Sequence, residues 1–253
     1  MKKQNIFGNK GKKMKIKEIY QKLNQISPFE LQESWDNCGL LVGDMDNKVK
    51  KIYISLDLDL ELLENMENNS LIITHHPLIF KPLKTLVPIS YSQKIAIKLI
   101  QKNISLISLH TNFDKTHLNK YVMKEILGFD YIEKDDFILE AKVNMKFEKF
   151  VKHIKKSLNI DSLNVVQSHK NINSFSLTTG SGMSLLNKIK TDCFLTGDIK
   201  YHEAMEAKAR GISLIDITHY ESEKYFCEAI YKELNEFKKF AIIQNSKNPF
   251  ERL

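Results

Sequence analysis

Cysteine is scarce in this 253-residue chain, which has only Cys38, Cys193 and Cys227. The three are widely spaced and form no Cys-x-x-Cys pair, so the sequence indicates neither a disulfide framework nor a cysteine zinc knot. We expect reduced thiols and a cytoplasmic protein. Cys193 lies within an apolar run and is expected in the core.

Long apolar runs are absent too. None approaches the roughly 20 residues that a membrane helix needs. Residues 1–13 contain neither an apolar block nor a small-residue cleavage site, which argues against a secretory signal. The hydrophobic share of 42% is nevertheless enough to bury a substantial core. We therefore expect a globular protein with no membrane partner.

Arginine is limited to Arg210 and Arg252, and the net charge of +7 is unevenly distributed. Residues 1–13 hold five lysines and no acid, so they supply five of the seven charges. The rest of the chain is nearly neutral and has no lysine or arginine stripe interleaved with aromatics, so a nucleic-acid partner is not expected. We interpret residues 1–13 as a basic disordered tail or upstream extension.

Helical and strand patterns alternate along the rest of the chain, which predicts an α/β fold. The predicted helices are 16–26, 58–67, 92–102 with Ile95, Leu99 and Ile100 inward, 147–158, 184–190, 199–210 and 221–237. The predicted strands are 51–56, 71–74, 104–109, 163–167, 174–179, 193–196, 213–217 and 240–243. Residues 128–142 are predicted to be a loop-rich junction.

This order predicts two α/β domains of related topology, with mixed sheets covered by helices and a metal site at the domain interface. The first domain is placed at 14–128 and the second at 129–253. As an alternative to this division, the last segment, about 213–253, could pack back on the first domain.

Four of the apolar runs end in residues that can bind metal. Because the carboxyl ends of parallel strands collect along one sheet edge, residues far apart in sequence can meet there. Imidazoles and carboxylates without cysteine are typical of a hydrolytic metal site rather than a structural zinc site. The residues are His75 and His76, His110 and Asp114, Asp198 with His202, and His219 and Glu223.

Two adjacent histidines can serve one site only where the chain leaves the sheet, and Pro77 favours such an exit. His219 and Glu223 are four apart, a spacing that places both on one side of a helix. Simpler explanations remain: Asp114 could cap a helix over 115–124, and Glu223 could merely favour a helix amino terminus.

Other motifs are weaker. The Gly180-Ser-Gly182 turn could cradle a phosphate with its N–H groups, although a tight turn is the commoner role of such glycines. His117, His153 and His169 have no carboxylate partner at useful spacing, and we interpret them as ordinary polar residues.

Five separated blocks carry a resemblance to a known family: Trp35–Gly43, Thr74–Phe80, His110–Asp114, Thr196–Asp198 with His202, and His219–Glu223. Over residues 14–253 the chain resembles the YbgI-like proteins, known as GTP cyclohydrolase 1 type 2 homologues. That resemblance implies a two-domain α/β subunit, a toroidal homohexamer and a dinuclear metal centre.

The implied metal ligands are His75, His76, Asp114, His219 and Glu223. They would hold two divalent ions, with Zn, Mn, Fe and Co all compatible. His202 is a candidate proton shuttle or orienting residue. Thr218 stands where the family often has glycine, which should alter the local turn but not the ligand that follows.

The implied function is metal-dependent hydrolysis of a nucleotide or pterin-like small molecule. The sequence shows neither an arginine cluster for a triphosphate nor an acidic pair specific for guanine. The alternative is a non-enzymatic metal-binding regulatory or scaffold hexamer that interacts with protein or nucleic acid.

Overall fold

The computed structural model describes residues 13–251. The predicted basic tail therefore lies, apart from Lys13, outside the described residues. The strands in chain order, β1 to β13, are Met14–Lys15, Gly39–Val42, Lys48–Val49, Ile52–Ser55, Leu71–Thr74, Ser105–Ser108, Ile132–Asp135, Ile138–Lys146, Asn164–Val166, Asn171–Leu177, Cys193–Thr196, Ser213–Asp216 and Ala241–Ile243.

The α-helices are Ile16–Ile26, Leu60–Glu64, Tyr91–Gln101, Phe147–Leu158, Tyr201–Ala209, His219–Glu223 and Phe226–Glu233. A further helical run is made of Thr111–Phe113, Asp114–Leu118, Asn119–Tyr121 and Val122–Ile126, of which the second and fourth have π geometry. Short 3₁₀ helices cover Phe29–Leu31, Met183–Lys188 and Asn235–Phe240.

Two mixed sheets dominate the fold. One has the order β13-β4-β5-β6-β2, with β2 antiparallel to the four parallel strands. The other has the order β7-β8-β10-β11-β12-β9, with β10, β11 and β12 parallel. β1 and β3 form a separate antiparallel pair. The predicted α/β class with mixed, helix-covered sheets is confirmed.

The burial of the central strands explains why the sequence contains short apolar runs. All four residues of β4, β5, β6 and β11 are buried, as expected for parallel strands covered on both faces. The largest core cluster contains side chains from both sheets, among them Ile54, Ile73, Leu195 and Ile215. The apolar core is therefore continuous between the two sheets. The strand-end residues His76 and His219 approach one another.

The end of the chain returns to the first sheet. β13 pairs with β4, and the backbone N–H of Gln244 donates to the carbonyl of Ile54. Asn245 and Ser246 then accept hydrogen bonds from the N–H groups of Leu56 and Asp57. The turn after β4 is thus held by the last described residues.

Several local predictions are wrong. Residues 128–142 are not a loop, because β7 and β8 pair there. The charged side chains of β7 are compatible with a strand because β7 lies at the edge of its sheet and is mostly exposed. Ile100 is exposed rather than inward. The single helix over 221–237 is interrupted after Glu223 and ends in a 3₁₀ turn at Asn235, whose φ of 45° is incompatible with an α-helix. β1, β2 and β3 were not predicted.

None of the helices in the part of the chain described here combines the length and the apolar character required to cross a membrane. Cys193 is fully buried in β11, as predicted from the apolar run around it.

Candidate metal centre

The structure brings all five predicted ligands into one cluster at the strand ends. Within the cluster, three overlapping groups have ligand atoms within 4.8 Å of one another and could hold metal ions. The groups are His75 with His76 and His110, His76 with His219 and Glu223, and His75 with Asp114 and Glu223.

Glu223 lies at the centre of this cluster. Its side chain is buried, and its Oε2 lies 3.0 Å from Nε2 of His76 and 2.9 Å from Nε2 of His219. Its Oε1 lies 3.8 Å from Nε2 of His75, which is also 3.5 Å from Oδ1 of Asp114. Three imidazole nitrogens therefore converge on the buried carboxylate of Glu223 and the half-buried one of Asp114.

The far side of each imidazole is fixed by an acceptor. Nδ1 of His75 donates to the carbonyl of Leu109 at 2.8 Å. Nδ1 of His76 contacts Asp57 at 2.9 Å, and Nδ1 of His219 contacts Asp198 at 2.7 Å. Carbonyl and carboxylate oxygens only accept, so each Nδ1 carries a proton, and whenever the ring is neutral the lone pair of Nε2 faces the cluster.

This orientation leaves lone pairs facing lone pairs. Nε2 of His75, Oδ1 of Asp114 and Oε2 of Glu223 are buried and have no hydrogen-bond partner. A buried polar atom without a partner costs about 1–3 kcal/mol, and more when it is charged. Cations placed between these atoms would remove that cost, so the donor set fits divalent metal ions with mixed nitrogen and oxygen preference.

The pKa values follow the same electrostatics. Burial raises the pKa of Glu223, but the charge of His76 and the close approach of the His219, His75 and His76 rings outweigh burial and hold that pKa well below its ordinary value. Burial and the neighbouring charge of Glu223 raise the pKa of Asp114 to about 7. Glu223 is thus the ionised carboxylate of the pair, and Asp114 is partly protonated near neutral pH.

Two histidines are correspondingly basic. Burial lowers the pKa of His76, but Glu223 and Asp57 outweigh burial and raise it well above its ordinary value. Burial also lowers the pKa of His219, while Glu223 and Asp198 raise it to about 9. Without metal, protons occupy positions that a cation would take.

Metal uptake is therefore expected to release protons. Below pH about 9, a metal ion must displace the proton from His219, so metal affinity should rise as the pH is raised toward that value. At pH 7 we expect release of at least about one proton per chain. Calorimetric titration with a divalent metal in two buffers of different ionisation enthalpy measures this number. Equal heats in both buffers would contradict the prediction.

The adjacent histidines reach one site because the chain leaves the sheet, as Pro77 suggested. β5 ends at Thr74, and the N–H groups of His75 and His76 both donate to the carbonyl of Leu56, at 3.2 and 3.3 Å. Two consecutive N–H groups on one acceptor break the alternation of a strand. Both rings then lie on one side, with centroids 5.0 Å apart.

The simpler explanations for the two carboxylates are wrong. Asp114 does not cap a helix, because its φ of −57° and ψ of −49° are helical and Thr111–Phe113 precede it in the same helical run. Glu223 is the last residue of the helix His219–Glu223, so it cannot stabilise that helix's amino terminus. Both side chains instead face the cluster.

The glycine turn is not a phosphate cradle. The N–H of Gly180 donates to Oγ of Ser222, and the N–H of Gly182 donates to Oγ1 of Thr196. Both donors are therefore already used within the fold. A Cβ on Gly180 would lie 2.0 Å from Oε1 of Glu223, so the glycine makes room for the central carboxylate.

Sequence reasoning did not assign Asp36 and Asp57, and it named His110 as a strand-end residue without placing it in the implied ligand set. The ring of His110 lies 5.2 Å from that of His75 and 5.5 Å from that of His76. Asp36 accepts from Nδ1 of His110 at 2.9 Å and also from the N–H of Thr111. Asp57, which orients His76, follows β4. Asp57 and His110 follow the carboxyl ends of β4 and β6, which is the signal that identified the other residues, whereas Asp36 precedes β2.

The remaining histidines lie outside the three groups. His202 is exposed and contacts the ring of Tyr201. His117 stacks on Phe113, and Nε2 of His153 donates to the carbonyl of Leu127. These contacts agree with the interpretation of His117 and His153 as ordinary polar residues.

Thr218, which precedes His219, is strained. Its φ of 56° and ψ of 154° belong to a region that side chains with a Cβ rarely adopt, and its buried Oγ1 has no hydrogen-bond partner. The backbone is held by a hydrogen bond from its N–H to Oδ1 of Asp216. The position therefore suits glycine better than threonine.

Thr218→Gly is expected to stabilise the metal-free protein by about 1 kcal/mol, since relief of strain exceeds the entropic cost of the extra glycine. Denaturant unfolding measures the change. Asn159→Gly is a matched control, because Asn159 also has a φ of 56° but asparagine tolerates it. A Thr218→Gly protein that is no more stable than wild type would show that the strain is not there.

A cavity of about 770 Å³ opens beside His76 and His219. Its wall combines carboxylates with apolar and aromatic side chains. The lining residues are Leu56, Asp57, His76, Asp198, Ile199, Asp216, Thr218, His219, Tyr220, Asn248, Pro249 and Phe250.

Comparison with known proteins gives a consistent result. The model of the Duf34/NIF3 (NGG1p interacting factor 3) family matches residues 14–249. The GTP cyclohydrolase 1 type 2 homolog of Campylobacter jejuni is 48% identical over 239 residues, which is 94% of this chain and 99% of that protein. The GTP cyclohydrolase 1 type 2 of Helicobacter pylori is 48% identical over 238 residues, 93% of this chain and 98% of that protein.

Solved structures show the same fold. Protein SA1388 of Staphylococcus aureus has a TM-score of 0.81 at 28% identity, over 95% of this chain and 99% of its own. Reduced HcgD from Methanocaldococcus jannaschii has a TM-score of 0.79 at 27% identity, over 92% of this chain and 98% of its own. The ybgI protein, at 19% identity and a TM-score of 0.79 over 94% of this chain and all of its own, supports the fold alone.

Proposed function

Because the chain belongs to the Duf34/NIF3 (NGG1p interacting factor 3) family, we propose that it is a metal-dependent hydrolase of a small molecule. The membership confirms the resemblance carried by the five sequence blocks. The proposal assigns two divalent ions to His75, His76, Asp114, His219 and Glu223. It places a nucleotide-like or pterin-like substrate in the adjoining cavity.

One observation carries the proposal. Three imidazole Nε2 atoms face the carboxylates of Glu223 and Asp114, and three of the facing atoms are buried and have no hydrogen-bond partner. A purely structural cluster would pair its donors with acceptors. Divalent cations would satisfy this arrangement of lone pairs, and Glu223 and Asp114 would contribute carboxylate oxygens to hold them.

Divalent ions in this cluster would polarise a substrate oxygen and supply a water nucleophile near neutral pH. The residues of this chain orient the histidine rings and supply a group for proton transfer. Asp57 and Asp198 hold the rings of His76 and His219 in one tautomer. His110, oriented by Asp36 and with its ring 5.5 Å from that of His76, is the residue we propose for proton transfer, in place of the exposed His202.

The test is elemental analysis of the purified protein, followed by a turnover screen of nucleotides, nucleosides and pterins. We expect about two transition-metal ions per chain and a hydrolytic product that disappears with a chelator and returns with metal. For a cyclohydrolase the product includes formate. Two bound ions with no turnover of any compound would favour the non-enzymatic regulatory or scaffold role instead.

The homohexamer is part of the same proposal. The segment 86–91 exposes Leu86, Val87, Ile89 and Tyr91, a run of apolar side chains of the kind that protein interfaces cover. Light scattering after size exclusion should give a mass of about six chains. A monomeric mass at micromolar concentration would contradict the assembly without affecting the metal proposal.

A further inference from the structure

The cavity beside the metal centre is acidic. Asp57, Asp198 and Asp216 line it together with His76 and His219. Among its lining residues in the described part of the chain, none is lysine or arginine. A site that binds a polyphosphate normally offers several such cations or a free cluster of backbone N–H groups.

Lysines adjacent to the lining segments do not supply the missing charge. Nζ of Lys247 lies 3.6 Å from Glu61, and Nζ of Lys224 is 2.6 Å from Glu221 and 3.1 Å from the carbonyl of Leu158. Lys200 lines a neighbouring cavity of about 260 Å³ that shares Ile199 and Asp216 with the acidic one, and it is not among the residues that line the acidic cavity itself. In the glycine turn, the other candidate for phosphate, the N–H groups of both glycines are engaged within the fold.

Metal ions alone would not make the cavity attractive to a polyanion. Their positive charge is opposed by Asp114 and Glu223 within the cluster and by the three aspartates of the wall. A triphosphate entering this space would meet carboxylates at close range in a partly buried site, where repulsion is stronger than in water.

The rest of the wall suits a flat, weakly polar ligand. Leu56, Ile199 and Pro249 provide apolar contact, and the rings of Tyr220 and Phe250 stand at the same cavity. Phe250 is 82% exposed, so a face of its ring is free for stacking. Ligand cavities of this size typically combine such surfaces with a few polar groups that fix orientation.

We propose that this cavity takes an uncharged or cationic ring compound, such as a nucleoside or a pterin without phosphates, in preference to a nucleoside polyphosphate. The inference rests on the proposed hydrolase function, whose substrate it narrows. The aspartates then act as acceptors for ring N–H, amino or hydroxyl groups, and they exclude the triphosphate form of the same ring.

Guanosine and GTP provide the decisive comparison, because they share a ring and differ in charge. Binding is measured by calorimetry on the metal-loaded protein, with GTP supplied as its magnesium complex so that it does not remove metal from the protein. Guanosine should bind at least about ten-fold more tightly than GTP. Magnesium tripolyphosphate alone should show no saturable binding below roughly 1 mM. Equal or tighter binding of GTP, or submillimolar binding of tripolyphosphate, would overturn the inference.

Asp216→Asn tests the source of the selectivity. The asparagine oxygen can still accept from the N–H of Thr218, so the turn is preserved while one negative charge is lost. The preference for guanosine over GTP should shrink several-fold. Asp161→Asn, an exposed residue outside the cavity, should leave the preference unchanged.

Other outcomes are equally informative. If guanosine, adenosine and neutral pterins all fail to bind, the ring part of the inference is wrong. If the protein holds no metal but still prefers guanosine to GTP, the proposed hydrolase fails while the charge preference of the cavity stands. Metal content measured on the same samples separates these cases.

Discussion

Glu223→Gln is expected to empty the metal centre. Glutamine has nearly the same shape, but it removes the negative charge and replaces one oxygen with an NH₂ group that cannot bind metal. Oε2 of Glu223 lies within 3.0 Å of Nε2 in both His76 and His219, so the change affects the atom that the two rings share. Metal affinity should fall by at least about 100-fold, and turnover with it.

The matched control is Glu228→Gln. Glu228 lies in the neighbouring helix Phe226–Glu233 and is exposed, so its loss should change neither metal content nor turnover. Metal content is measured by elemental analysis after dialysis at a fixed free-metal concentration. A Glu223→Gln protein that retained two ions would remove Glu223 from the ligand set and leave the cluster with another function.

The convergence of the five residues could be predicted from the sequence, because the signal is local. His75 and His76 follow a short apolar run and precede Pro77, and His219 and Glu223 have helical spacing. Once the strands are taken as parallel, the rule that their carboxyl ends share an edge brings these segments together. The structure places β4, β5 and β6 side by side in that orientation.

The residues that orient the histidines could not be assigned in the same way. Asp36 and His110 are 74 positions apart, and the contact depends on how the segment before β2 folds against the end of β6. Asp57 and Asp198 each stand in a polar turn where many roles are possible. Only the distances from their oxygens to Nδ1 atoms distinguish an orienting carboxylate from a solvent-exposed one.

The wrong predictions have a similar cause. Residues 128–142 contain charges and a glycine, which favour a loop, yet β8 gains a long antiparallel ladder with β10. Pairing between distant segments outweighs local composition there. The glycine turn was weighed as a phosphate site because its spacing cannot reveal that Ser222 and Thr196 already accept from its N–H groups.

Gly180→Ala is expected to disable the metal centre without changing any ligand. The added Cβ would lie 2.0 Å from Oε1 and 3.0 Å from Cδ of Glu223, far inside van der Waals contact. Glu223 is buried against three histidines and cannot move aside without leaving its proposed position as a metal ligand. We expect a loss of metal affinity of about 100-fold, comparable to removal of the carboxylate.

Gly128→Ala separates this clash from backbone strain. Gly128 has a φ of 78° and Gly180 a φ of 62°, so alanine costs about 1–2 kcal/mol of backbone strain at either position. A Cβ on Gly128 would meet no atom within 4 Å. Gly128→Ala should therefore lose stability in denaturant unfolding but keep its metal, whereas Gly180→Ala should lose both. If the two variants bind metal equally well, Gly180 does not make room for Glu223 in the functional protein.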